Sequence, residues 1–215
     1  MNRTESTIRL AAIKLISRNG YESMSLRQLA AESGVNVSTL YLYYKSKSEL
    51  LLELILEYLQ SLGHEWNRNC PAANVSASIQ LRSFISCHIR YHLEHQDQAM
   101  LGNLELRSLD EESLLQVCQA RQIYLKTFQD LLEQGAREGA FVCADSKQMA
   151  RTLLNMLTHA CVWYQAEERW GIDEVIRHYS ALVMKMLSPT LVAAAGVPDR
   201  QPSITRRVVP RELCR

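Results

Sequence analysis

Apolar residues recur every three or four positions along the chain to about residue 187, and no stretch alternates strictly between apolar and polar residues. A spacing of three or four residues puts apolar side chains on one face of an α-helix, whereas strict alternation would indicate a strand. Only eight glycines and five prolines interrupt the pattern. The sequence therefore predicts an all-α fold of about nine helices.

Residues 25–47 predict two short helices around a tight turn, after an opening helix. Ser25 can accept hydrogen bonds from the free amides at the start of the first helix of the pair. Gly34 can adopt the left-handed backbone that ends this helix. Asn36 or Ser38 is placed to cap the next one. This segment is thus predicted to be a helical hairpin.

Six further helices are predicted after the hairpin, and the first of them is expected to connect two domains. Their approximate bounds are 48–66, 75–95, 99–107, 110–135, 145–164 and 173–187. Asp145 and Gln148 have the spacing of a capping box at the start of the eighth helix.

Positive charge is concentrated near the amino terminus. Residues 1–47 carry seven Lys and Arg against three Glu, whereas residues 48–187 carry twelve against eighteen acidic residues. The whole chain is nearly neutral, at +1. Because phosphates attract a basic surface, this distribution favours a nucleic-acid-binding hairpin over a purely structural one.

The second helix of the hairpin carries hydroxyl groups, aromatic rings and nearby ammonium groups. Hydroxyl and ammonium groups can donate to phosphate oxygens, and Thr and Tyr also present apolar surface to thymine methyl groups. Arg27, in the first helix, has the donors to bind a guanine edge, although an exposed arginine without a DNA role is an alternative. Tyr44 fits a core position better than a DNA contact.

A set of motifs over residues 8–52 agrees in type and spacing with one known family. An opening helix ends at Gly20-Tyr21, and a Ser-x-x-x-Leu-Ala helix, Gly-Val, Thr-Leu-Tyr, a second aromatic residue, Lys47 and Glu-Leu-Leu follow. The stretch resembles the amino-terminal domain of the tetracycline-repressor (TetR) family. The resemblance implies a DNA-binding domain at 1–47, a helical ligand-binding and dimerisation domain at 48–187, and repression relieved by a small molecule.

The resemblance also implies which side chains contact double-stranded operator DNA. With Arg27 and Ser38 added from the residue patterns, the candidates are Arg27, Ser38, Thr39, Tyr41, Tyr43 and Lys47. Leu42 and Tyr43 depart from the polar or histidine residues more usual at their positions. The operator sequence therefore stays open.

The predicted eighth and ninth helices have apolar residues on two sides, which predicts neighbours on both. One neighbour would be the core of the subunit, and the other the same helix pair of a second subunit in a two-fold four-helix interface. An ordinary core is the alternative. The residues assigned to a homodimer interface are Leu154, Leu157, Cys161, Tyr179, Leu182, Val183 and Met186.

Helices five to eight combine apolar and polar residues on their expected inner faces, which predicts an effector pocket. The candidate lining is Phe84, His88, Tyr91, Leu104, Arg107, Tyr124, Phe128, Asn155, His159 and Trp163. This half of the chain resembles TetR-family regulators that sense acyl-CoA thioesters. Glu167 and Glu168 stand where a basic residue is expected, and they would repel a CoA phosphate. A multidrug or aromatic effector is the alternative.

Other functional classes receive little support from the sequence. No nucleophile elbow, phosphate-binding glycine loop or paired catalytic motif is present, so the chain is predicted not to be an enzyme. His88, His92 and His95 have helical spacing without a completing Cys or carboxylate, and no metal or cofactor is predicted. The six cysteines lack Cys-x-x-Cys spacing, which indicates neither a zinc ribbon nor a disulfide framework. A helical protein-binding adaptor without DNA affinity stays open.

Both ends of the chain bear on localisation and binding. No apolar run approaches the roughly 20 residues of a membrane span, and the polar start does not resemble a secretory signal, so a cytoplasmic protein is expected. Residues 188–215 lose helical periodicity and carry five arginines. They are predicted to form a disordered tail, in which Arg206, Arg207 and Arg211 could attract DNA non-specifically.

Overall fold

The computed structural model describes residues 2–72, 74–165 and 170–188. In these ranges the chain is helical and contains no strand, which confirms the all-α prediction. The α-helices are α1 (Arg3–Asn19), α2 (Leu26–Ser33), α3 (Val37–Tyr43), α4 (Lys47–Asn69), α5 (Ala77–Glu94), α6 (Gln96–Leu104), α7 (Glu111–Arg137), α8 (Ser146–Thr158), α9 (Ala160–Trp163) and α10 (Ile172–Met186); a 3-10 turn, η1 (Glu105–Ser108), follows α6. The predicted tail lies outside the described residues from 189 onward.

Local capping chemistry accounts for several helix starts. The Asp145 carboxylate accepts a hydrogen bond from the Gln148 amide at 2.9 Å at the start of α8. Asp110 accepts one from the Ser113 amide at 2.8 Å at the start of α7. The predicted eighth helix does not run unbroken to residue 164, because it is interrupted at His159 and resumes as the short α9.

The described chain divides into two compact units. The first contains the residues up to Ser61 together with His95–Ala120, and the second contains Leu62–Glu94 and the chain from Arg121. The first unit therefore includes most of α4, and α6 with η1, besides the three amino-terminal helices. The predicted boundary at residue 47 encloses those three helices alone.

In the first unit, α1 packs against α2 and α6. Its buried face is formed by Ile8, Ala12 and Ile16, which are four residues apart and lie one above the other on the helix. The side chains buried around them come from α2, α3, α4 and the segment after α5. They include Leu29, Leu40, Leu50, Leu51, Ile55, Leu101 and Val117.

In the second unit, α5 packs against α10, α8 and α9. Its buried side chains include Phe84, Ile85 and Ile89. Gly135 in α7 lies directly under the ring of Phe141, so a Cβ at that position would overlap the ring. The close approach requires glycine there and seats a large aromatic side chain in the core.

Candidate nucleic-acid interface and regulatory site

The α2–α3 hairpin forms as its sequence predicts. The Ser25 hydroxyl accepts from the Gln28 amide at 3.2 Å, and the Gln28 side chain accepts from the Ser25 amide at 2.8 Å. Gly34 has a φ of +67°, and its backbone N–H bonds to the last turn of α2. Asn36 occupies the N-cap position of α3, but its side chain makes no capping hydrogen bond, so the predicted cap is absent there. The capping box of α2 and the left-handed Gly34 thus set the turn between α2 and α3.

One face of α3 is buried and the other is exposed. Leu40 is buried, and Tyr44, which directly follows α3, is buried as the sequence predicted. Ser38, Tyr41 and Leu42 are exposed on the opposite side. Because the buried side chains fix the rotation of the helix, the exposed face presents a hydroxyl, a phenol and a leucine to any ligand.

The remaining DNA candidates lie around this face. Thr39 and Tyr43 are half-buried, and the Tyr43 hydroxyl accepts a hydrogen bond from the Asn2 amide nitrogen at 3.2 Å. Arg27 is exposed at the start of α2. The Lys47 ammonium lies 4.0 Å from the centre of the Tyr21 ring. Their contacts with DNA stay predictions.

A buried arginine connects α1, α4 and the end of α3. Arg9 is only 8% exposed. Its guanidinium donates to Glu53 at 2.9 Å, to Glu57 at 2.8 Å and to the Tyr44 hydroxyl at 3.0 Å. Burial alone would lower the pKa of Arg9, but the hydrogen bonds to Glu53, Tyr44 and Glu57 outweigh burial and raise it. Arg9 is therefore always charged in the fold.

This arginine was missed as a functional residue in the sequence, where it counted only toward the basic charge of residues 1–47. The structure corrects that count, because Arg9 is committed to carboxylates of α4 and Lys14 pairs with Glu32. The available signal was the position of Arg9 beside Ile8, on the apolar face of α1.

A buried carboxylate joins η1 to the loop between α1 and α2. Glu105 accepts a hydrogen bond from the Tyr21 amide at 3.2 Å, and Ser108 donates to its other oxygen at 3.5 Å. The Tyr21 ring carries the Lys47 ammonium on its face. Within the first unit, a shift of η1 would therefore act directly on the residues that support Lys47.

An aromatic cluster occupies the core of the second unit. The Phe84 ring stacks on Phe128 with centroids 4.5 Å apart and meets Trp66 edge-on at 4.9 Å. The Tyr124 ring lies 5.3 Å from Phe84. Rings from α4 and α7 thus surround Phe84 of α5.

His88 lies inside this cluster with both ring nitrogens in hydrogen bonds. Nδ1 is 3.2 Å from the Tyr124 hydroxyl, and Nε2 is 3.1 Å from the Thr158 hydroxyl. Burial, together with the nearby His92, places the pKa of His88 well below its ordinary range. Burial likewise raises the pKa of Tyr124. Both groups are neutral at pH 7 and act as hydrogen-bonding groups rather than charges.

The structure gathers only part of the predicted effector lining. Phe84, His88, Tyr124 and Phe128 come together, and Tyr91 is half-buried on α5. The other predicted residues are exposed, and two of them belong to the first unit. The exposed residues are Asn155, His159 and Trp163 in the second unit and Leu104 and Arg107 in the first. The structure therefore brings together four of the ten predicted lining residues, and the five exposed ones are corrected to surface positions.

A groove of about 500 Å³ opens on the surface of the second unit. The Trp163 indole donates to the Tyr179 hydroxyl at 3.1 Å within it. The lining is Met156, Trp163, Tyr164, Gln165, Trp170, His178, Tyr179 and Leu182. Trp170 and His178 were missed in the sequence, since they lie outside the apolar stripes used to find the interface.

The predicted dimer residues divide between this surface and the core. Leu182 and Met186 are 37% and 39% exposed, and Leu154 and Tyr179 are half-buried. Leu157, Cys161 and Val183 are fully buried within the subunit. These three are corrected to core residues, because a side chain without exposed surface cannot contact a second copy.

Two family descriptions match the chain. "Bacterial regulatory proteins, tetR family" matches residues 8–54, and "Tetracyclin repressor-like, C-terminal domain" matches residues 74–187, which is more than half of the chain. The chain belongs to the TetR family. As a member it is a DNA-binding transcriptional regulator and not an enzyme, and α2–α3 is its helix-turn-helix.

Similar proteins include regulators with named roles. This TetR-family chain is 25% identical over 144 residues to the fatty acid metabolism regulator protein of Bacillus subtilis (strain 168), covering 67% of the chain and 74% of that protein. A tetR-family regulatory protein from Rhodococcus RHA1 has 24% identity and a TM-score of 0.82, covering 87% of this chain and 98% of that one. AibR in complex with isovaleryl coenzyme A and operator DNA has 19% identity and a TM-score of 0.75, covering 87% and 99%. The solved structures share the fold.

Other features of this TetR-family regulator limit its chemistry. The described residues contain no group of three or more His, Cys, Asp or Glu arranged to hold a metal ion. No helix in the same ranges is long and apolar enough to cross a membrane. Burial raises the pKa of Cys87 and of Cys161 to about 11, so both thiols stay protonated and unreactive at pH 7.

Proposed function

We propose that this TetR-family regulator is a cytoplasmic, homodimeric repressor that leaves its operator when a small hydrophobic effector, such as an acyl-CoA thioester, binds to the second unit. The observation that carries the effector class is the His88 cluster. It combines stacked aromatic rings with a histidine, a tyrosine and a threonine hydroxyl at hydrogen-bonding distance.

This composition is typical of a site for an apolar ligand with a polar head. Ligand sites are lined mostly by apolar side chains, with a few polar groups that fix orientation. An acyl chain would contact Phe84 and Phe128, and the Tyr124 hydroxyl, held in place by His88, would donate to a carbonyl or carboxyl oxygen. Because both groups are neutral, they suit a thioester carbonyl and do not favour a cationic ligand.

The relatives support this class of effector. One is named a fatty acid metabolism regulator, and a solved structure of the same fold holds isovaleryl coenzyme A with operator DNA. Glu167 and Glu168, which argued against a CoA phosphate, lie outside the described residues. A drug-responsive or aromatic-responsive regulator is the second candidate, since the same rings would also stack on an aromatic compound.

The homodimer is proposed from the exposed apolar residues of α9 and α10. Trp163, Leu182 and Met186 are large apolar side chains exposed in one subunit. Contiguous exposed apolar surface marks interaction sites in soluble proteins. A helix-turn-helix protein also gains specificity by reading two half-sites about one helical turn apart, which requires two copies.

Release from DNA requires differential binding of the effector. A tenfold loss of operator affinity corresponds to about 1.4 kcal/mol of tighter effector binding to the conformation that does not fit the operator. In the first unit, Glu105 of η1 contacts the loop beside Lys47, and this contact would transmit such a change to the DNA-reading residues.

The test begins by selecting the operator from a random duplex library with the purified protein. Operator binding is then measured by fluorescence anisotropy with a panel of straight-chain and branched fatty acids and their CoA thioesters. We expect a thioester or acid to release the DNA and to quench Trp fluorescence at similar concentrations. A reporter with the selected operator over its promoter should be repressed by the protein.

Tyr124→Phe is the matched variant for the effector site, because it keeps the ring and removes the hydroxyl. It should weaken release by the active compound while leaving operator affinity unchanged. If only cationic lipophiles release the DNA, the protein is a drug-responsive regulator and the acyl effector is wrong.

A further inference from the structure

The most exposed large hydrophobic side chain in the described residues lies on the DNA-reading helix. Leu42 in α3 is 82% exposed. A single exposed leucine needs no explanation on an ordinary surface. Here, however, it stands beside Tyr41 and four residues after Ser38, on the face of α3 that points away from the protein.

The helix geometry prevents Leu42 from turning into the core. Successive residues of an α-helix are rotated by about 100°, so Leu42 lies about 200° from Leu40, which is buried. Tyr44, which directly follows α3, is also buried. These two core contacts hold the helix in place, and Leu42 stays on the outward side.

The surroundings of Leu42 identify DNA as the occupant of this face. The flanking exposed groups are the Ser38 and Tyr41 hydroxyls and the Lys45 ammonium, all of which suit phosphate oxygens. The segment that carries them, residues 1–47, has four more basic than acidic residues, although one of these, Arg9, is paired with Glu53 and Glu57 of α4 and adds no charge to this face. The inference rests on the DNA-binding function of the family.

We propose that Leu42 contacts the 5-methyl group of a thymine in the major groove of each operator half-site and sets a preference for thymine at that position. The side chain has no hydrogen-bonding atom. Thymine is the base that presents an apolar group in the major groove, whereas the other bases present donors and acceptors there. Covering those groups with leucine would leave them without partners, which is unfavourable.

The expected effect follows from the removal of one methyl group. Burial of a methyl or methylene group stabilises a contact by about 0.8 kcal/mol, which corresponds to about a fourfold change in affinity. Replacing the contacted thymine with deoxyuridine deletes only that methyl group and keeps base pairing. One thymine of each half-site should therefore be sensitive to this change. When deoxyuridine replaces that thymine, wild-type protein should bind the operator about fourfold more weakly.

The experiment is a double-mutant cycle between protein and DNA. Each thymine of the selected operator is replaced in turn by deoxyuridine, and affinity is measured for wild type, Leu42→Ala and Leu42→Met. In Leu42→Ala the fourfold loss should vanish at one thymine and persist at thymines that other side chains contact. Leu42→Met, which keeps an apolar side chain of similar length, should retain it.

Leu10→Ala is the matched control, because Leu10 is also a highly exposed leucine, at 66%, but lies on α1. It should leave the whole deoxyuridine profile unchanged. Identical profiles for wild type and Leu42→Ala would overturn the proposal, as would a wild-type profile with no methyl dependence. Failure to select any operator would count instead against the function proposed for the protein.

Discussion

Replacing Arg9 with methionine removes a buried charge while keeping an unbranched apolar side chain on α1. The change leaves Glu53, Glu57 and the Tyr44 hydroxyl without their shared donor. We expect the variant to fold with lower stability and to bind operator DNA more weakly, because the end of α3 loses its connection to α4.

The stability lost in Arg9→Met depends on how well solvent can hydrate each partner that Arg9 leaves behind. Removing one member of a buried ion pair costs about 3–5 kcal/mol when the other charge stays buried. Here the Glu53 and Glu57 side chains are 43% and 47% exposed and regain hydration. The buried Tyr44 hydroxyl loses a partner at a cost of about 1–3 kcal/mol. We therefore expect a loss of about 2–3 kcal/mol.

The assay is urea unfolding followed by circular dichroism, combined with operator titrations at several salt concentrations. Lys14→Met is the matched control, since it breaks the exposed pair with Glu32 and should cost much less stability than Arg9→Met. Arg9→Met should lower operator affinity without changing the salt slope, because a buried guanidinium releases no DNA counterions.

Two results would refute this reasoning. If Arg9→Met and Lys14→Met lose equal stability, the buried hydrogen bonds contribute nothing beyond an exposed pair. If Arg9→Met instead lowers the salt slope by about one, the arginine contacts a phosphate and does not position α3.

Three further predictions concern DNA contact, assembly and pH. Lys47→Ala should weaken binding to all sequences and reduce the salt slope by about one, and unchanged values in a folded variant would contradict a phosphate contact. Leu182→Glu and Met186→Glu should each sediment as monomers, so intact dimers in both would move the interface elsewhere. Because burial and the nearby His92 lower the pKa of His88, the unfolded chain binds the extra proton. Stability should therefore be fully present above about pH 6.5 and fall by up to about 1.4 kcal/mol per pH unit below it, and equal pH slopes for wild type and His88→Gln would refute this assignment.

The sequence by itself determined the helices, the hairpin and the family. The caps at Ser25 and Asp145 and the left-handed turn at Gly34 each involve residues no more than four positions apart. Short stretches of sequence are therefore enough to predict them. Helical periodicity likewise separates buried Leu40 and Tyr44 from exposed Tyr41 without reference to any distant residue.

Tertiary structure alone decided which of two apolar stripes on a helix is buried and which charged residues are buried with partners. Periodicity shows that α8 and α10 have apolar stripes, but it does not show which stripe the protein covers, and Leu157 and Val183 proved to be core residues. The same limit applies to Arg9, whose partners lie 35 to 48 residues away. It also applies to His88, whose partners lie 36 and 70 residues away.

These contacts form only when helices distant in the chain pack together. In this packed state Arg9 is buried and its hydrogen bonds connect three helices. His88 is buried in an aromatic cluster, where it is neutral. Local spacing cannot report such contacts, because their energy depends on which atoms three-dimensional packing brings together.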